Sequence, residues 1–153
     1  TSPTVTYLDK EAAEDLAKIA KVDIKTYGMN MLKAASSIDG LSVTELINQD
    51  FKSYSINDKT YGIAVITTMD YDKIEANIDE YIDKLNEMAL NTYEAVLIFI
   101  TDIVRKGSYV LYNTEAESLI SSSFNINASE GIFIKGLMSR KKQILPAIMG
   151  QLE

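Results

Sequence analysis

From Asp9 onward, Ala12, Ala13, Leu16, Ile19 and Ala20 recur at three- and four-residue steps with Lys and Glu between them. That spacing predicts an amphipathic helix. Residues 1–8 precede it as an extended lead-in, because Pro3 disfavours helix at Ser2. A second helix is expected from about Ile24 to Ser36, burying Tyr27, Met31, Leu32 and Ala35. Ser42-Val43-Thr44-Glu45 has the form of a capping box and predicts a short helix through Val43, Leu46 and Ile47. Lys52 to Ile56 and Tyr61 to Thr68 read as two strands, and Asn57-Asp58 between them makes a hairpin. The clearest helical pattern runs from Tyr71 to Leu90, with Ile74, Ile78, Tyr81, Ile82, Leu85 and Met88 on one face. Acidic residues gather near its start, where the macrodipole favours them.

Ala95 to Ile100 is apolar without alternation, which predicts a central strand covered on both faces. Lys106-Gly107 marks a turn, followed by a strand over Tyr109 to Tyr112. Thr114 is expected to cap a helix through Leu119 to Ser122. A short strand over Ile132 to Ile134 precedes a final segment from Ser139. Helices and strands interleave, yet one hairpin is antiparallel. The expected fold is therefore a single α/β domain, with a mixed β-sheet and helices packed around it.

Composition narrows the chemistry. The chain has 153 residues, 46% apolar and 24% charged, which suits one ordinary globular domain. The apolar run Ala95 to Ile100 is far too short to cross a bilayer, so no membrane partner is expected. The formal charge of −7 repels polyanions, so nucleic acid is not an expected partner. With no cysteine, disulfides, zinc thiolate sites and thiol nucleophiles are excluded, and a reducing cytoplasm is permitted. With no histidine, the chain alone cannot build a Ser-His-Asp triad, a His base or a His-ligated metal. The seven glycines are scattered and form no phosphate-binding loop.

Ser139-Arg140-Lys141-Lys142-Gln143 stands out in this acidic chain. Ile144, Leu145, Ile148 and Leu152 follow at helical spacing, so the cations lie at the beginning of a terminal helix with Ser139 as N-cap. Pro146 either removes a backbone hydrogen bond there or marks where the regular helix begins. Cations at a helix start oppose the macrodipole by roughly 0.3–1 kcal/mol each, and become useful where an anion binds. Arg offers phosphate a planar fork and Lys a mobile point charge. Taken by spacing alone, the run reads first as a solvated charged turn. Asp70, Asp72 and Glu75 read as a dipole-friendly helix start, and Asp102 as either a turn former or a site residue.

The stretch Gly136 to Pro146, with Ser139-Arg140-Lys141-Lys142-Gln143 at its core, resembles the C-terminal signature of family II inorganic pyrophosphatases. The resemblance covers nearly the whole chain. It includes Ser2-Pro3-Thr4, Leu16 to Ala20, Tyr27-Gly28, Met31 to Ala34, Ser42 to Ile47, Asp50-Phe51-Lys52 and Ile100 to Ile103. Two places depart from the family pattern: Val5 stands where a cysteine is usual, and Ser53-Tyr54 follow Lys52.

The resemblance implies a two-domain hydrolase that splits pyrophosphate, with residues 1–8 a linker remnant and residues 9–153 the C-terminal DHH-associated domain. An N-terminal DHH domain of the same polypeptide would bind manganese or cobalt, with magnesium arriving alongside substrate and no metal held by this chain. Carried over by position, the substrate-binding residues are Lys52, Arg140 and Lys141. The fragment is expected to be inactive and monomeric, and the full-length enzyme a cytoplasmic homodimer. An exopolyphosphatase-like enzyme with the same pair of domains, or a stand-alone phosphate-binding module, is the alternative.

Overall fold

A computed structural model describes residues 5–90, 92–128 and 131–152, so the lead-in expected at Ser2, Pro3 and Thr4 lies outside the described residues. The chain divides into two compact units, residues 1–37 and 38–153.

The first unit is a pair of helices, α1 (Tyr7–Ala20) and α2 (Ile24–Ala35). Helix α1 begins two residues earlier than the apolar spacing predicts. Thr6 caps it, accepting from the Asp9 amide at 3.3 Å while the Asp9 carboxylate accepts from the Thr6 amide at 2.8 Å. Asp23 caps α2 through the Thr26 amide at 2.8 Å. Neither helix has a buried residue, and Tyr27, Met31, Leu32 and Ala35, expected to be buried, are exposed.

The second unit holds the sheet. Helix α3 (Val43–Gln49) starts at the expected capping box of Ser42 and Glu45. Strands β1 (Phe51–Ile56) and β2 (Lys59–Thr68) then form the expected antiparallel hairpin. Asn57 and Asp58 turn it with φ of 50° and 63°, the left-handed pair that matches the strand twist. The long helical pattern after β2 is two helices, α4 (Tyr71–Glu75) and α5 (Ile78–Ala89). Asn77 interrupts it by donating its side-chain amide to the Lys73 carbonyl at 3.0 Å, a local bond that competes with helix continuation. This pair of helices is the crossover to β3 (Ala95–Asp102), which runs parallel to β2. Strands β4 (Gly107–Tyr112) and β5 (Ile132–Lys135) complete the sheet in antiparallel fashion, in the order β1-β2-β3-β4-β5. Between them lies α6 (Glu117–Phe124), preceded by a 3₁₀ turn over Thr114–Ala116. The N-cap of that 3₁₀ turn is Asn113 and that of α6 is Ala116, rather than the expected Thr114, and the Asn113 side chain accepts from the Val96 amide at 2.7 Å.

Every residue of β3 is buried. Val96, Ile98 and Ile100 point to the face covered by α3, α4 and α5, while Ala95, Leu97 and Phe99 point to the face covered by α6 and the C-terminal helix. A strand with two apolar neighbours cannot alternate in polarity, which explains its uninterrupted hydrophobic run. The α/β class and the mixed sheet with helices around it are as the sequence pattern predicts.

At the far end of β3, Asp102 is 2% exposed. Its carboxylate accepts from the Val104 and Arg105 amides at 2.8 and 2.9 Å and from the Arg105 guanidinium at 3.1 Å. These bonds identify Asp102 as a turn former. Arg105 also donates to Asp72 at 3.0 Å and lies 5.7 Å from the centre of the Tyr71 ring, which stacks on Tyr109 at 3.5 Å. Burial, reinforced by the nearby Glu75 carboxylate and Tyr109, pushes the Tyr71 phenol up to about 12.

Two expectations follow from this packing. A methyl added at Gly107 would press on the Phe133 ring and come within 2.6 Å of the Ile134 carbonyl oxygen, which belongs to the backbone and cannot swing aside. Gly107→Ala should lower stability by about 1–3 kcal/mol in urea unfolding, and an unchanged midpoint would refute the close approach of β4 and β5. Tyr71 stays neutral in the fold after the unfolded chain has begun to ionise near 10.0. Its contribution is therefore complete below pH 10 and lost as pH rises through about 12. Tyr71→Phe keeps the ring stack, and its stability should decline less steeply between those pH values. Identical pH profiles would count against a buried phenol.

Candidate functional site

The basic run opens the last element of the sheet-bearing unit. Arg140–Ile144 forms a single π-helical turn that passes directly into α7 (Leu145–Leu152). The Ile144 amide reaches back to the Ser139 carbonyl at 3.1 Å, five residues earlier, and the Gln143 amide shares the same acceptor at 2.9 Å. Regular helix begins at Leu145-Pro146, one of the two placements the sequence leaves open for that proline. Pro146 has no N–H, so the ladder that runs through Leu145 to the Arg140 carbonyl breaks at the next position.

Ser139, Arg140 and Gln143 each have a distinct local task. Ser139 caps the turn, its hydroxyl accepting from the Lys142 amide at 3.3 Å. Gln143 folds its side chain back over the approaching loop: Oε1 accepts from the Met138 and Ser139 amides at 2.9 and 3.0 Å, and Nε2 donates to the Gly136 carbonyl at 2.9 Å. Gly136, with φ of 81°, takes the left-handed conformation that lets the loop leave β5. Ile144 and Ile148 are fully buried against the sheet, with Ile63, Leu97, Phe99 and Ile120 in the same cluster.

Arg140 is the side chain that ties this turn to the opposite edge of the sheet. Its Nη1 donates to the carbonyl oxygens of Asp50 at 2.8 Å and Ile63 at 3.5 Å, and its Nη2 donates to the Asp50 carboxylate. The side chain is only 12% exposed. Lys52 follows Asp50 on β1 and pairs in register with Ile63. Strand alternation puts Lys52 on the same face as Tyr54 and Ile56, which pack in the cluster containing Ile144. The structure thus brings Arg140 to the strand pair that carries Lys52. Lys141 and Lys142 follow Arg140 on the turn and are exposed. Among the described residues, neither they nor Lys52 form an ion pair, whereas Arg140 is paired with Asp50.

Asp50 is the partner that sequence reasoning did not single out for a role. No local spacing could reveal it, because its contact with Arg140 joins residues 90 apart in sequence. Chemically the group is a collection of fixed and mobile cations. It can neutralise an anion, and Asp50 is the carboxylate within it. The chain has no histidine or cysteine, and no group of three or more acidic residues among those described could hold a metal ion. Nor is any helix among the described residues long and apolar enough to cross a membrane.

Comparison with known proteins gives a family and several relatives. The DHHA2 domain family model matches residues 29–151. A protein named probable manganese-dependent inorganic pyrophosphatase from Clostridium acetobutylicum is 35% identical, over 99% of this chain and 50% of its own length. The manganese-dependent inorganic pyrophosphatase of Methanocaldococcus jannaschii is 37% identical, over 96% of this chain and 48% of its own. A solved structure described as a family II inorganic pyrophosphatase from Methanococcus jannaschii superposes with a TM-score of 0.81 at 36% identity, covering 99% of this chain and 50% of the other. The chain therefore spans about half the length of the relatives it matches. With its signature turn, its mixed sheet and this match across most of its length, the chain belongs to the DHHA2 domain family.

Proposed function

We propose that this chain is the substrate-binding C-terminal half of a manganese-dependent inorganic pyrophosphatase. In this reading Lys52, Arg140 and Lys141 supply the cationic contacts to pyrophosphate. The observation that carries it is the Arg140 guanidinium held on the β1-β2 pair that bears Lys52. The names of the relatives favour pyrophosphate over longer polyphosphates as the substrate.

Phosphoryl transfer depends mainly on positioning and on neutralising charge around the phosphates, and this set of residues is suited to that task. Of the five N–H groups on a guanidinium, the described contacts of Arg140 engage three. Nε–H and one Nη2–H remain for an anion, in an orientation fixed by the backbone carbonyls. Lys141 and Lys52 are mobile point charges that can follow the phosphate oxygens. A fixed fork with two mobile charges gives orientation and neutralisation together.

We assign no manganese to this chain: it has no imidazole or thiolate, and no group of three or more acidic side chains among the described residues could hold an ion. We assign the metal, as manganese or cobalt with magnesium accompanying substrate, to an N-terminal DHH domain of the same polypeptide. The full-length enzyme is then a homodimer held together outside this chain. When bound in that domain the metal would supply hydroxide for attack, while Lys52, Arg140 and Lys141 bind and orient the substrate.

Calorimetric titration tests the cationic assignment. Pyrophosphate should bind the wild-type chain weakly, and Lys52→Ala and Lys141→Ala should each lower affinity by about tenfold, equivalent to roughly 1.4 kcal/mol, with unchanged thermal melting. Phosphate release by the chain with manganese should stay at background. Equal affinity in both variants and wild type, or appreciable hydrolysis by the chain alone, would overturn the reading.

A further inference from the structure

A sheet covered on both faces leaves little room for polar side chains, so each one buried there needs a partner. Among the described residues of the sheet-bearing unit these are Thr68, Thr101, Asp102, Ser108 and Asn113. Three of them act where strands begin or end. Thr68 accepts from the Asp70 amide at 2.9 Å, Asp102 closes the turn to Arg105, and Asn113 accepts from the Val96 amide. Thr101 and Ser108 have no such local task. They stand opposite one another in the β3-β4 register, on the face that carries Leu97, Phe99 and Val110, and are 2% and 0% exposed.

The two hydroxyls form a chain with one direction. Ser108 Oγ donates to the Leu137 carbonyl at 2.6 Å, which uses its only proton. The 2.9 Å contact between the hydroxyls is then donated by Thr101 and accepted by Ser108. The chain ends on the loop that leaves β5 and feeds the signature turn. The other hydrogen bonds of residues 136–138 are backbone bonds to Lys106 and Ile134, or come from Gln143 within the same segment. Thr101 and Ser108 are thus the side chains that tie this approach to the interior of the sheet.

Packing alone does not call for this pair, since valine and alanine would fill the same space with no polar atom to bury. What the hydroxyls add is a fixed point for the Leu137 carbonyl, three residues before Arg140. Arg140 reaches the Asp50 and Ile63 carbonyls with a planar fork, and such contacts hold only if the backbone carrying them is placed to within about 0.5 Å. We propose that Thr101 and Ser108 are positioning residues of the anion site. By holding the Leu137 carbonyl they set where the following turn presents Arg140 and Lys141, and neither touches the anion. The inference rests on the pyrophosphate reading above for the identity of that anion, and on the hydrogen bonds for the placement of the turn.

Steady-state kinetics and NMR on the full-length polypeptide test this. Ser108→Ala should raise KM for pyrophosphate about tenfold at a kcat within about twofold of wild type, and Thr101→Val should raise KM about threefold. Thr101→Ser keeps a hydroxyl donor and should keep the wild-type KM. A merely structural role lowers the folded fraction, which reduces kcat per chain and leaves KM alone. That result, or a wild-type KM in both Ser108→Ala and Thr101→Val, would overturn the inference. Should Ser108→Ala fail to fold, Thr101→Val decides, because it keeps the side-chain shape and the bond from Ser108 to Leu137. A second readout needs no substrate. The Arg140 Nε–H resonance, assigned by its loss in Arg140→Lys, should shift in Ser108→Ala and Thr101→Val while the amides of Val96 to Phe99 stay in place. An unmoved Arg140 resonance would equally sink the proposal. If the wild-type protein does not hydrolyse pyrophosphate, the substrate assignment falls and the resonance decides the positioning by itself.

Discussion

The guanidinium of Arg140 joins two places that the chain keeps 90 residues apart. On one side is a π turn with its own cap and side-chain clamp. On the other is the junction where α3 ends and β1 begins. Two backbone carbonyls and the Asp50 carboxylate accept its protons, so the cation is neither free in water nor left uncompensated in the protein. Three engaged N–H groups and the paired carboxylate fix its position in a mostly buried setting. The C-terminal element is thereby held at the strand pair bearing Lys52, and the proposed anion contacts depend on that attachment.

The attachment is possible because the sheet is covered on both faces. Strand β3 sends alternate side chains into two apolar clusters, one under α3 to α5 and the other under α6 and α7. The second cluster seats Ile144 and Ile148, which sets where the preceding turn emerges. Ser139 and Gln143 then satisfy the amides and the carbonyl at the approach. Their bonds allow the π geometry, a wider turn than the α-helix, to sit where the cations are presented. Insertions of this type recur at functional positions because they re-aim side chains without ending the helix.

The two units contrast in how they use amphipathicity. In the sheet-bearing unit the apolar stripes of α5, α6 and α7 meet the sheet, and their residues are buried. In the helical pair an equally regular stripe meets nothing within its own unit. Periodicity reports that a helix has an apolar side; it does not report which surface that side meets. The same sequence signal therefore predicts burial correctly for Ile74 and Leu85 and incorrectly for Met31 and Leu32.

Local chemistry determined a large part of this protein from the sequence alone. The capping box at Ser42, the hairpin at Asn57-Asp58, the doubly covered strand from Ala95 and the signature around Arg140 are each written in neighbouring residues, because caps, turns and side-chain alternation act over a few positions. The break at Asn77 and the extension of α1 to Tyr7 were less legible, since each turns on one side-chain bond competing with helix. Tertiary structure alone decided that Asp50 is the partner of Arg140, that the face of Lys52 is the one carrying the C-terminal turn, and that Asp102 closes a loop. Those outcomes depend on contacts between distant segments, and no period or spacing along the chain encodes which distant group will arrive.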